Sequence, residues 1–412
     1  MASTKNLDGT GSGANHGPRV LFYSHDTFGL GHLRRSRTMA AALTAADDKM
    51  SALIITGSPV AGRFTFPERV DYVRLPGVTK RSDGTYVSEK LSFDIEETTM
   101  IRAGLIKSLV ELFEPDIIVV DKEPTGFRGE LRPALEWLHK TGNTKLVLGL
   151  RDVLDDPELL AEEWERKKAV QAMEKYYDEI WVYGLKSVYD PTEGLVLSSE
   201  IKKRMIWTGY LRREFEERSE LPETPYIVVT PGGGGDGKEM VDQVLLAYEK
   251  DPTLTPAALF VYGPFLTGDD RADFERRVAN LEGRVMDVGF DSRMESLMAG
   301  GQGVIAMGGY NTFCEILSCD VPAIIVPRTI PRLEQYIRAS RAQELGLVRM
   351  FDAKLDAKLD GSSVDAMIEA IRNLPTQKPP SASRYDGLLD GLDCIKGRVR
   401  ALLAQEKDAE LV

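Results

Sequence analysis

The chain has 412 residues, which is more than one hydrophobic core usually serves, so we expect two domains. Charged residues make up 28% and hydrophobic residues 42%, a balance typical of soluble globular proteins that excludes a disordered or fibrous chain. The net charge of −12, from 52 Lys and Arg against 64 Asp and Glu, argues against a general nucleic-acid binder, because counterion release requires a positive surface.

The cysteines and the apolar runs indicate the cellular compartment in which the protein is expected. Cys314, Cys319 and Cys394 form no CxxC pair and cannot all be bridged, and no signal peptide precedes the first predicted strand. We therefore expect a cytoplasmic protein. No apolar run approaches the roughly 18 residues that a membrane-spanning helix requires, so any contact with a bilayer would be peripheral.

The first half of the chain alternates strand-like and helix-like segments. Residues 1–17, rich in Gly, Ser and Asn, predict a flexible leader. Within residues 18–215, β-rich runs that are each followed by a turn and a helix-period segment lie at 19–24, 51–56, 70–75, 116–121, 145–150 and 179–184. Several runs are apolar without alternation, so we expect a parallel sheet covered on both faces. Residues 155–177 predict one of the helical stretches, with an aspartate cap and Pro157 near its first turn.

The second half repeats this organisation after a break. Residues 216–225 are charged and contain two prolines, which predicts an interdomain linker. A second series of strands within residues 226–375 is predicted at 226–230, 257–263, 284–289, 303–308 and 322–327. Residues 376–412 then predict a loop and one last amphipathic helix. The sequence therefore indicates two doubly wound α/β domains in tandem.

A glycine-rich loop follows the first strand of the second series. Consecutive glycines allow backbone N–H groups to point at an anion, and a helix that begins near Lys238 adds positive potential. We therefore expect a phosphate cradle, although a merely flexible loop is the simpler alternative. The loop is not a P-loop, because no GKS or GKT follows, and Asp236 would oppose phosphate unless it turns outward. The cradle glycines are Gly233, Gly234 and Gly235.

A second glycine pair precedes a candidate ribose ligand. Gly308 and Gly309 end a predicted strand, and Glu315 falls one to two turns into the next helix. A carboxylate at this place can accept both hydroxyls of a ribose whose diphosphate lies at the glycine end. The alternative for Glu315 is an ordinary solvated helix residue. Cys314 is most simply a small buried neighbour.

The segments GGYNTFCEILSCDVPAIIVP and RLEQY resemble the donor-binding region of GT-B glycosyltransferases of family 28, the family of the enzyme that adds N-acetylglucosamine to lipid I. The resemblance is clearer over the second domain than over the first. It implies an α/β GT-B fold, with two Rossmann-like doubly wound domains facing a cleft and a C-terminal helix that crosses back to the first domain. It also implies that the first domain binds the acceptor and that the second binds a nucleotide sugar, with UDP expected.

The resemblance assigns roles to individual residues. It implies Glu315 on the ribose, and VGFDSRMESLM resembles the base-binding loop, with Phe290 covering the base and Met294 beside it. It implies that Gly309, Asn311 and Thr312 lie near the phosphates. It implies that Glu334 and Gln335 bind the sugar hydroxyls.

Two departures from the family pattern leave the sugar and the base open. Gly235 and Asp236 stand where the family commonly has serine and glutamine, and Glu334-Gln335 stands where it commonly has paired glutamines.

Two arginines lie next to the expected donor. Arg328 and Arg332 could neutralise a diphosphate or an acidic sugar, because guanidinium groups match such oxygens. The alternative role for both arginines is to form ion pairs at the protein surface.

The segment SHDTFGLGHLRRS contains two of the four histidines. FGLGHLRR resembles the acceptor-side glycine loop of GT-B enzymes and the GxGHxxR stretch of UDP-sugar hydrolases of the pseudaminic acid pathway, in which a histidine acts as base. Gly29 and Gly31 would then let the loop approach the diphosphate. A neutral imidazole suits proton removal at neutral pH, so His32 is the candidate base.

A partner carboxylate for the base is available at the end of a neighbouring strand. Asp121 ends the run DIIVVD, and ligands gather at the carboxyl ends of parallel strands, so His32 and Asp121 would form a dyad. Two alternatives stay open: His32 is only a structural residue of a helix N-terminus, or His25, with Asp26 behind it, is the base.

These observations predict a cytoplasmic glycosyltransferase that moves a sugar from a nucleotide sugar, UDP-linked, to an unknown hydroxyl acceptor. The resemblance implies inversion at the anomeric carbon and no metal, and the sequence has no D-x-D pair. We expect no cofactor and no nucleic-acid partner. The alternatives are a UDP-sugar hydrolase, which the GHLRR likeness favours, and a protein that binds nucleotide sugars without reaction.

Overall fold

The structure is a computed structural model. It describes residues 17–25, 30–81, 84–215, 221–233, 235–263, 266–281, 283–289, 291, 293–352, 356 and 363–409. The predicted leader, except for Gly17, and residues 216–220 of the predicted linker lie outside the described residues.

The first half of the chain folds around a seven-stranded parallel sheet in the order β3-β2-β1-β6-β7-β8-β9. Its strands are β1 (Arg19–Tyr23), β2 (Ser51–Thr56), β3 (Val70–Arg74), β6 (Ile117–Asp121), β7 (Lys145–Arg151), β8 (Glu179–Tyr183) and β9 (Met205–Trp207). A small antiparallel hairpin stands apart from this sheet and consists of β4 (Val78–Lys80) and β5 (Tyr86–Ser88).

Six helices accompany these strands in the described part of the first half. They are α1 (Gly31–Ala46), α2 (Ile95–Phe113), α3 (Arg132–Thr141), α4 (Pro157–Lys167), α5 (Ala169–Tyr176) and α6 (Ser199–Arg204). Asp156 caps α4 by accepting from the backbone N–H of Glu158, and Pro157 takes the first helical position, as predicted. The predicted single helical stretch is wrong at one place: Lys168, with φ of 53°, is left-handed and divides α4 from α5.

The second half folds around a six-stranded parallel sheet in the order β12-β11-β10-β13-β14-β15. Its strands are β10 (Tyr226–Thr230), β11 (Ala257–Val261), β12 (Val285–Val288), β13 (Val304–Ala306), β14 (Ala323–Ile325) and β15 (Arg349–Met350). The accompanying helices are α7 (Lys238–Lys250), α8 (Gly268–Ala279), α9 (Met294–Gly300), α10 (Tyr310–Cys319), α11 (Glu334–Glu344) and α12 (Ser363–Asn373).

The strand composition explains these sheets. The central strands β6, β8 and β10 are buried along their whole length, so their unbroken apolar runs serve helices on both faces. The order of strands along each sheet reverses beside its first strand, between β1 and β6 and between β10 and β13. Ligands bind at such points, outside the carboxyl ends of the strands.

The last helix, α13 (Gly391–Ala409), returns to the first half of the chain. Arg398 on α13 forms an ion pair with Glu179 of β8. Leu392, Ile395 and Val399 belong to a hydrophobic core that includes residues of α1. This is the crossing C-terminal helix that the family resemblance implies.

Candidate functional site

The candidate site is a cleft between the carboxyl ends of the two sheets. Residues of both halves line it, including His32 and Lys122 from the first half and Thr312 and Gln335 from the second. The loop after β1 and the start of α10 touch: the Asn311 side-chain amide donates to the Gly31 carbonyl at 3.0 Å. The two switch points of the fold therefore face one another.

His32 and Asp121 form the predicted dyad. His32 Nδ1 lies 2.8 Å from Asp121 Oδ2, because α1 is the next element after β1 and Asp121 ends the adjacent β6. Burial would raise the pKa of Asp121, but the charges of Arg35 and His32 outweigh it and hold that pKa below its ordinary value. An ionised Asp121 favours the tautomer in which Nδ1 of His32 carries the proton, and that tautomer leaves the basic lone pair on Nε2.

Arg35 supports the dyad from behind. Its guanidinium donates to Asp121 Oδ2 at 2.6 Å and is fully buried. The same guanidinium lies 5.3 Å from the ring centre of Tyr310, at the start of α10 in the other domain. Arg35 therefore connects the dyad to the domain interface, a role that the motif GHLRR alone did not reveal.

His25 lies beside the dyad but is a poorer base. Its ring centre is 5.7 Å from that of His32, in an edge-on arrangement. Burial and the nearby Lys122 ammonium lower the pKa of His25 well below its ordinary value. Its Nδ1 has no hydrogen-bond partner among the described residues, and Asp26 lies outside them. Among the residues that the structure describes, none gives His25 the carboxylate partner that Asp121 gives His32.

The glycine loop after β10 approaches the other glycine segments closely. Gly232 is left-handed with φ of 80°, and a Cβ at Gly263 would come within 2.4 Å of the Gly232 carbonyl oxygen. A Cβ at Gly233 would lie 3.2 Å from Leu30, which immediately precedes α1. A side chain at Gly263 would displace the Gly232 loop within the second domain, and one at Gly233 would press against Leu30 of the first.

Glu315 is buried in α10 and faces a narrow cavity. The cavity is also lined by Arg34, Thr230, Met294 and Thr312. Arg34, from α1 of the other domain, places Nη2 at 2.6 Å from Glu315 Oε1 and at 3.1 Å from Glu295 Oε1. Burial raises the pKa of Glu315 to about 7, although the Arg34 charge opposes this. Glu315 is therefore not a solvated helix residue.

Arg332 takes part in ion pairs at the cleft wall. It binds Asp155 at 3.0 Å and Glu163 at 3.2 Å, both in the first half of the chain. Arg328 pairs with Asp236 at 2.8 Å and with Glu334 at 3.3 Å. Asp236 lines the cleft and does not turn outward, and its carboxylate is paired with Arg328.

The start of α11 carries the residues expected on the sugar hydroxyls. Glu334 pairs with Arg151 of β7 at 2.6 Å. Burial acts to raise the pKa of Glu334, but Arg151 and two further arginines lower it to about 2, so the carboxylate is ionised at neutral pH. The Gln335 side-chain oxygen accepts from the Arg328 backbone N–H at 3.1 Å.

Most of the predicted site residues lie around this cleft. Its lining and that of the narrow cavity include Gly31, His32, Gly233, Met294, Gly309, Asn311, Thr312, Glu315, Arg328, Arg332, Glu334 and Gln335. Of the predicted residues that the structure describes, three line neither space: Asp121, Gly235 and Gly308. Asp121 lies behind His32, and Gly308 has a left-handed backbone, with φ of 76°, at the end of β13. Gly29, Gly234 and Phe290 lie outside the described residues.

Sequence reasoning missed several cleft residues. The basic side chains that it left unassigned and that line the cleft are Arg34, Arg35, Lys80, Lys122, Arg151 and Lys167. Arg34 and Lys122 stood in segments already singled out, two residues after His32 and one residue after Asp121, respectively. Their positions next to those residues were the available signal.

The helices in the described part of the chain include none that is both long and apolar enough to cross a membrane.

The part of the chain that carries Glu315 matches a known family model. Residues 227–385 match the family model of the glycosyltransferase family 28 C-terminal domain. A search of curated protein sequences found no match.

Solved glycosyltransferases share the fold of the whole chain. The calicheamicin glycosyltransferase CalG4 has a TM-score of 0.57 at 14% identity, covering 94% of this chain and 98% of its own. A UDP-glucosyltransferase from Polygonum tinctorium that glucosylates indoxyl has a TM-score of 0.57 at 13% identity, covering 94% and 98%. MurG of Acinetobacter baumannii has a TM-score of 0.52 at 10% identity, covering 92% and 99%.

These comparisons confirm the predicted GT-B fold with its two α/β domains. Together with the family 28 match they support a glycosyltransferase, the predicted class of enzyme. A specificity for lipid I has only the distant likeness to MurG in its favour.

Proposed function

We propose that the chain transfers a sugar from a UDP-linked donor to the hydroxyl of an acceptor, with inversion and without a metal ion. The observation that carries this proposal is the His32–Asp121 dyad, whose 2.8 Å contact stands at a cleft lined by both domains. An imidazole held in one tautomer by a buried carboxylate is suited to general base catalysis.

The proposed reaction is a single displacement. His32 Nε2 takes the proton of the acceptor hydroxyl, and the hydroxyl oxygen forms a bond to the anomeric carbon. The bond from that carbon to the β-phosphate oxygen breaks, and its electron pair leaves with the nucleoside diphosphate. Asp121 stabilises the imidazolium that forms, while Arg35 keeps Asp121 ionised and in place.

The second domain would hold the donor. Gly233, Gly234 and Gly235 and the N-terminus of α10, with Gly308, Gly309, Asn311 and Thr312, would bind the diphosphate through backbone N–H groups. Glu315 would accept from the ribose hydroxyls, and Phe290 and Met294 would contact the base. Arg328 and Arg332 would balance the charge of the departing diphosphate, and Glu334 and Gln335 would bind the sugar hydroxyls.

Donor binding would require Glu315 to change partners. Arg34 reaches Glu315 across the cleft, so ribose hydroxyls must share or replace this ion pair. Glu295 also lies within reach of Arg34 and can keep the guanidinium paired when Glu315 turns to the ribose. The first domain would thus respond to the donor through Arg34.

Hydrolysis of the UDP-sugar is the second candidate, because the GLGHLRR stretch resembles that of UDP-sugar hydrolases and water would replace the acceptor. Incubation with a panel of nucleotide sugars, with and without an extract that supplies acceptors, separates the candidates. Transfer predicts a glycosylated product only with extract, and hydrolysis predicts release of free nucleotide without it. Tight binding without turnover under either condition would contradict both and favour a binding protein.

A further inference from the structure

We propose that Lys122 binds an anionic group of the acceptor, a carboxylate or a phosphate, beside the hydroxyl that His32 deprotonates. This inference rests on the proposed function and adds to it the chemical class of the acceptor.

Lys122 is held in a costly backbone conformation next to the dyad. It directly follows Asp121 and has φ of 72°, in the left-handed region that side chains with a Cβ rarely adopt. The surroundings impose this conformation, because the Lys122 backbone N–H donates to the Gly149 carbonyl at 2.8 Å. Backbone strain of this kind is concentrated at functional sites, although helix ends such as Lys168 also show it.

The loop that continues from Lys122 is fixed by a buried network. Glu130 accepts two hydrogen bonds from the Arg102 guanidinium, at 2.5 and 2.7 Å, and one from the Tyr23 hydroxyl at 2.7 Å. Tyr177 donates to the Pro124 carbonyl at 2.6 Å. The loop therefore presents the Lys122 side chain from a rigid base.

The Lys122 ammonium is poorly compensated in the structure. Its side chain is 17% exposed, and its ion-pair partner among the described residues, Glu123, is 3.8 Å away. Glu123 is engaged more closely by Lys167, at 2.9 Å. Burial lowers the pKa of Lys122 to about 8, although Glu123 opposes this shift and Arg332 and Arg151 reinforce it.

The position of Lys122 assigns it to the acceptor rather than the donor. It projects from the end of β6 in the first domain, whereas the expected diphosphate ligands, apart from Gly29 and Gly31, stand on loops of the second domain. Lys80, Arg151 and Lys167 line the same cleft. An acceptor anion bound at Lys122 would place a neighbouring hydroxyl beside His32.

The test measures how fast Lys122 is acetylated by limiting acetic anhydride at pH 8, using peptide mass spectrometry. The probes are UDP, inorganic phosphate, glucuronate and glucose, and each of the last three is added with and without saturating UDP. We expect UDP alone to change Lys122 labelling less than twofold. Phosphate or glucuronate added to the UDP complex should slow it at least fivefold, and glucose should not. Lys203, on α6, is the internal control because its side chain is 72% exposed.

Two results would overturn the inference: protection of Lys122 by UDP alone, which would assign it to the donor diphosphate, or equal protection by glucose and glucuronate. Protection by phosphate but not glucuronate would support a phosphate acceptor, and the reverse a carboxylate. Failure of UDP to bind in calorimetry would instead contradict the proposed function. In that case the labelling of Lys122 with phosphate or glucuronate in the absence of UDP would still test whether Lys122 binds an anion.

Variants provide a second, independent reading. With the acceptor fraction that supports transfer, Lys122→Met should raise the acceptor KM at least tenfold and leave the UDP dissociation constant within twofold. Lys122→Arg should keep the acceptor KM within about threefold, because it retains the charge. Equal acceptor KM values for the two variants would contradict an anion-binding role.

Discussion

Glu315 belongs to the predicted donor-binding motif, and its carboxylate contacts the first domain. It is 1% exposed and paired with Arg34 from the other domain, although the motif alone gave only its place in a helix. Replacing it with alanine should weaken UDP binding by about 1.5–3 kcal/mol, the net value of a hydrogen bond to a charged group. Isothermal calorimetry measures this loss, and unchanged affinity would remove Glu315 from the site.

The same residue makes a prediction about pH. Burial raises the folded-state pKa of Glu315 to about 7, above the ordinary value of 4.5. Its favourable contribution to stability is therefore complete below the unfolded-state pKa and is lost as the pH rises through about 7. The wild type should lose about 1–3 kcal/mol relative to Glu315→Gln across this window. Urea unfolding at several pH values checks it, and parallel curves for the two proteins would count against it.

The buried charge of Lys122 should reduce the free energy of unfolding of the protein. Its folded-state pKa, about 8, is below the ordinary value of 10.5, so the unfolded chain binds the proton more tightly and stability rises with pH between these values. Lys122→Met should stabilise the fold by about 1–3 kcal/mol at pH 7, and this advantage should shrink above pH 10. Chemical denaturation at both pH values measures it. A destabilised variant at pH 7 would mean that the ammonium is well compensated.

At the scale of elements, the strands were predictable from composition. All eleven predicted strands are present, and most of them carry a buried apolar run next to a turn, whereas β3 and β12 each have only one buried residue. The strands that sequence reasoning missed, β4, β5, β9 and β15, have two or three residues and too little pattern to detect. The break at Lys168 was also hidden, since a lysine gives no sign of a left-handed backbone.

The candidate site was predictable only where strand order decides it. His32 and Asp121 follow adjacent parallel strands, and their contact could be inferred from that rule. Arg34 and Lys122 could not be assigned, because their roles depend on where long side chains end and on how one domain faces the other. The sequence alone shows neither the end point of a long side chain nor the relative position of the two domains.

The crossing helix α13 gives a prediction at the same scale. Its apolar residues pack in the core that contains α1, and Arg398 pairs with Glu179 of β8. Truncation after Pro380 should therefore increase hydrogen exchange in α1 and β8 of the first domain. Faster exchange confined to β10–β14 of the second domain would contradict this packing, and the full chain measured in parallel is the control.

At the scale of the whole molecule, charge is distributed unevenly. The chain carries a net charge of −12, yet the described lining of the cleft contains eight Lys and Arg against four Asp and Glu. A cleft with one dominant sign concentrates ligands of the opposite sign. Both the proposed donor and the proposed acceptor are anionic, so the molecule attracts them to the one place where they can react.

The central claim is that the two domains divide the work, with the base on the first and the donor site on the second. The most direct test is one set of measurements on His32→Ala: kcat for transfer and the dissociation constant of UDP. We predict that kcat falls about 10²- to 10⁴-fold, the usual contribution of a general base, while UDP affinity stays within twofold. Asp121→Asn should cost part of this, and the double variant little more than His32→Ala alone. If His32→Ala keeps at least half of the wild-type rate while His25→Ala abolishes turnover, the base is misassigned and the account of this site is wrong.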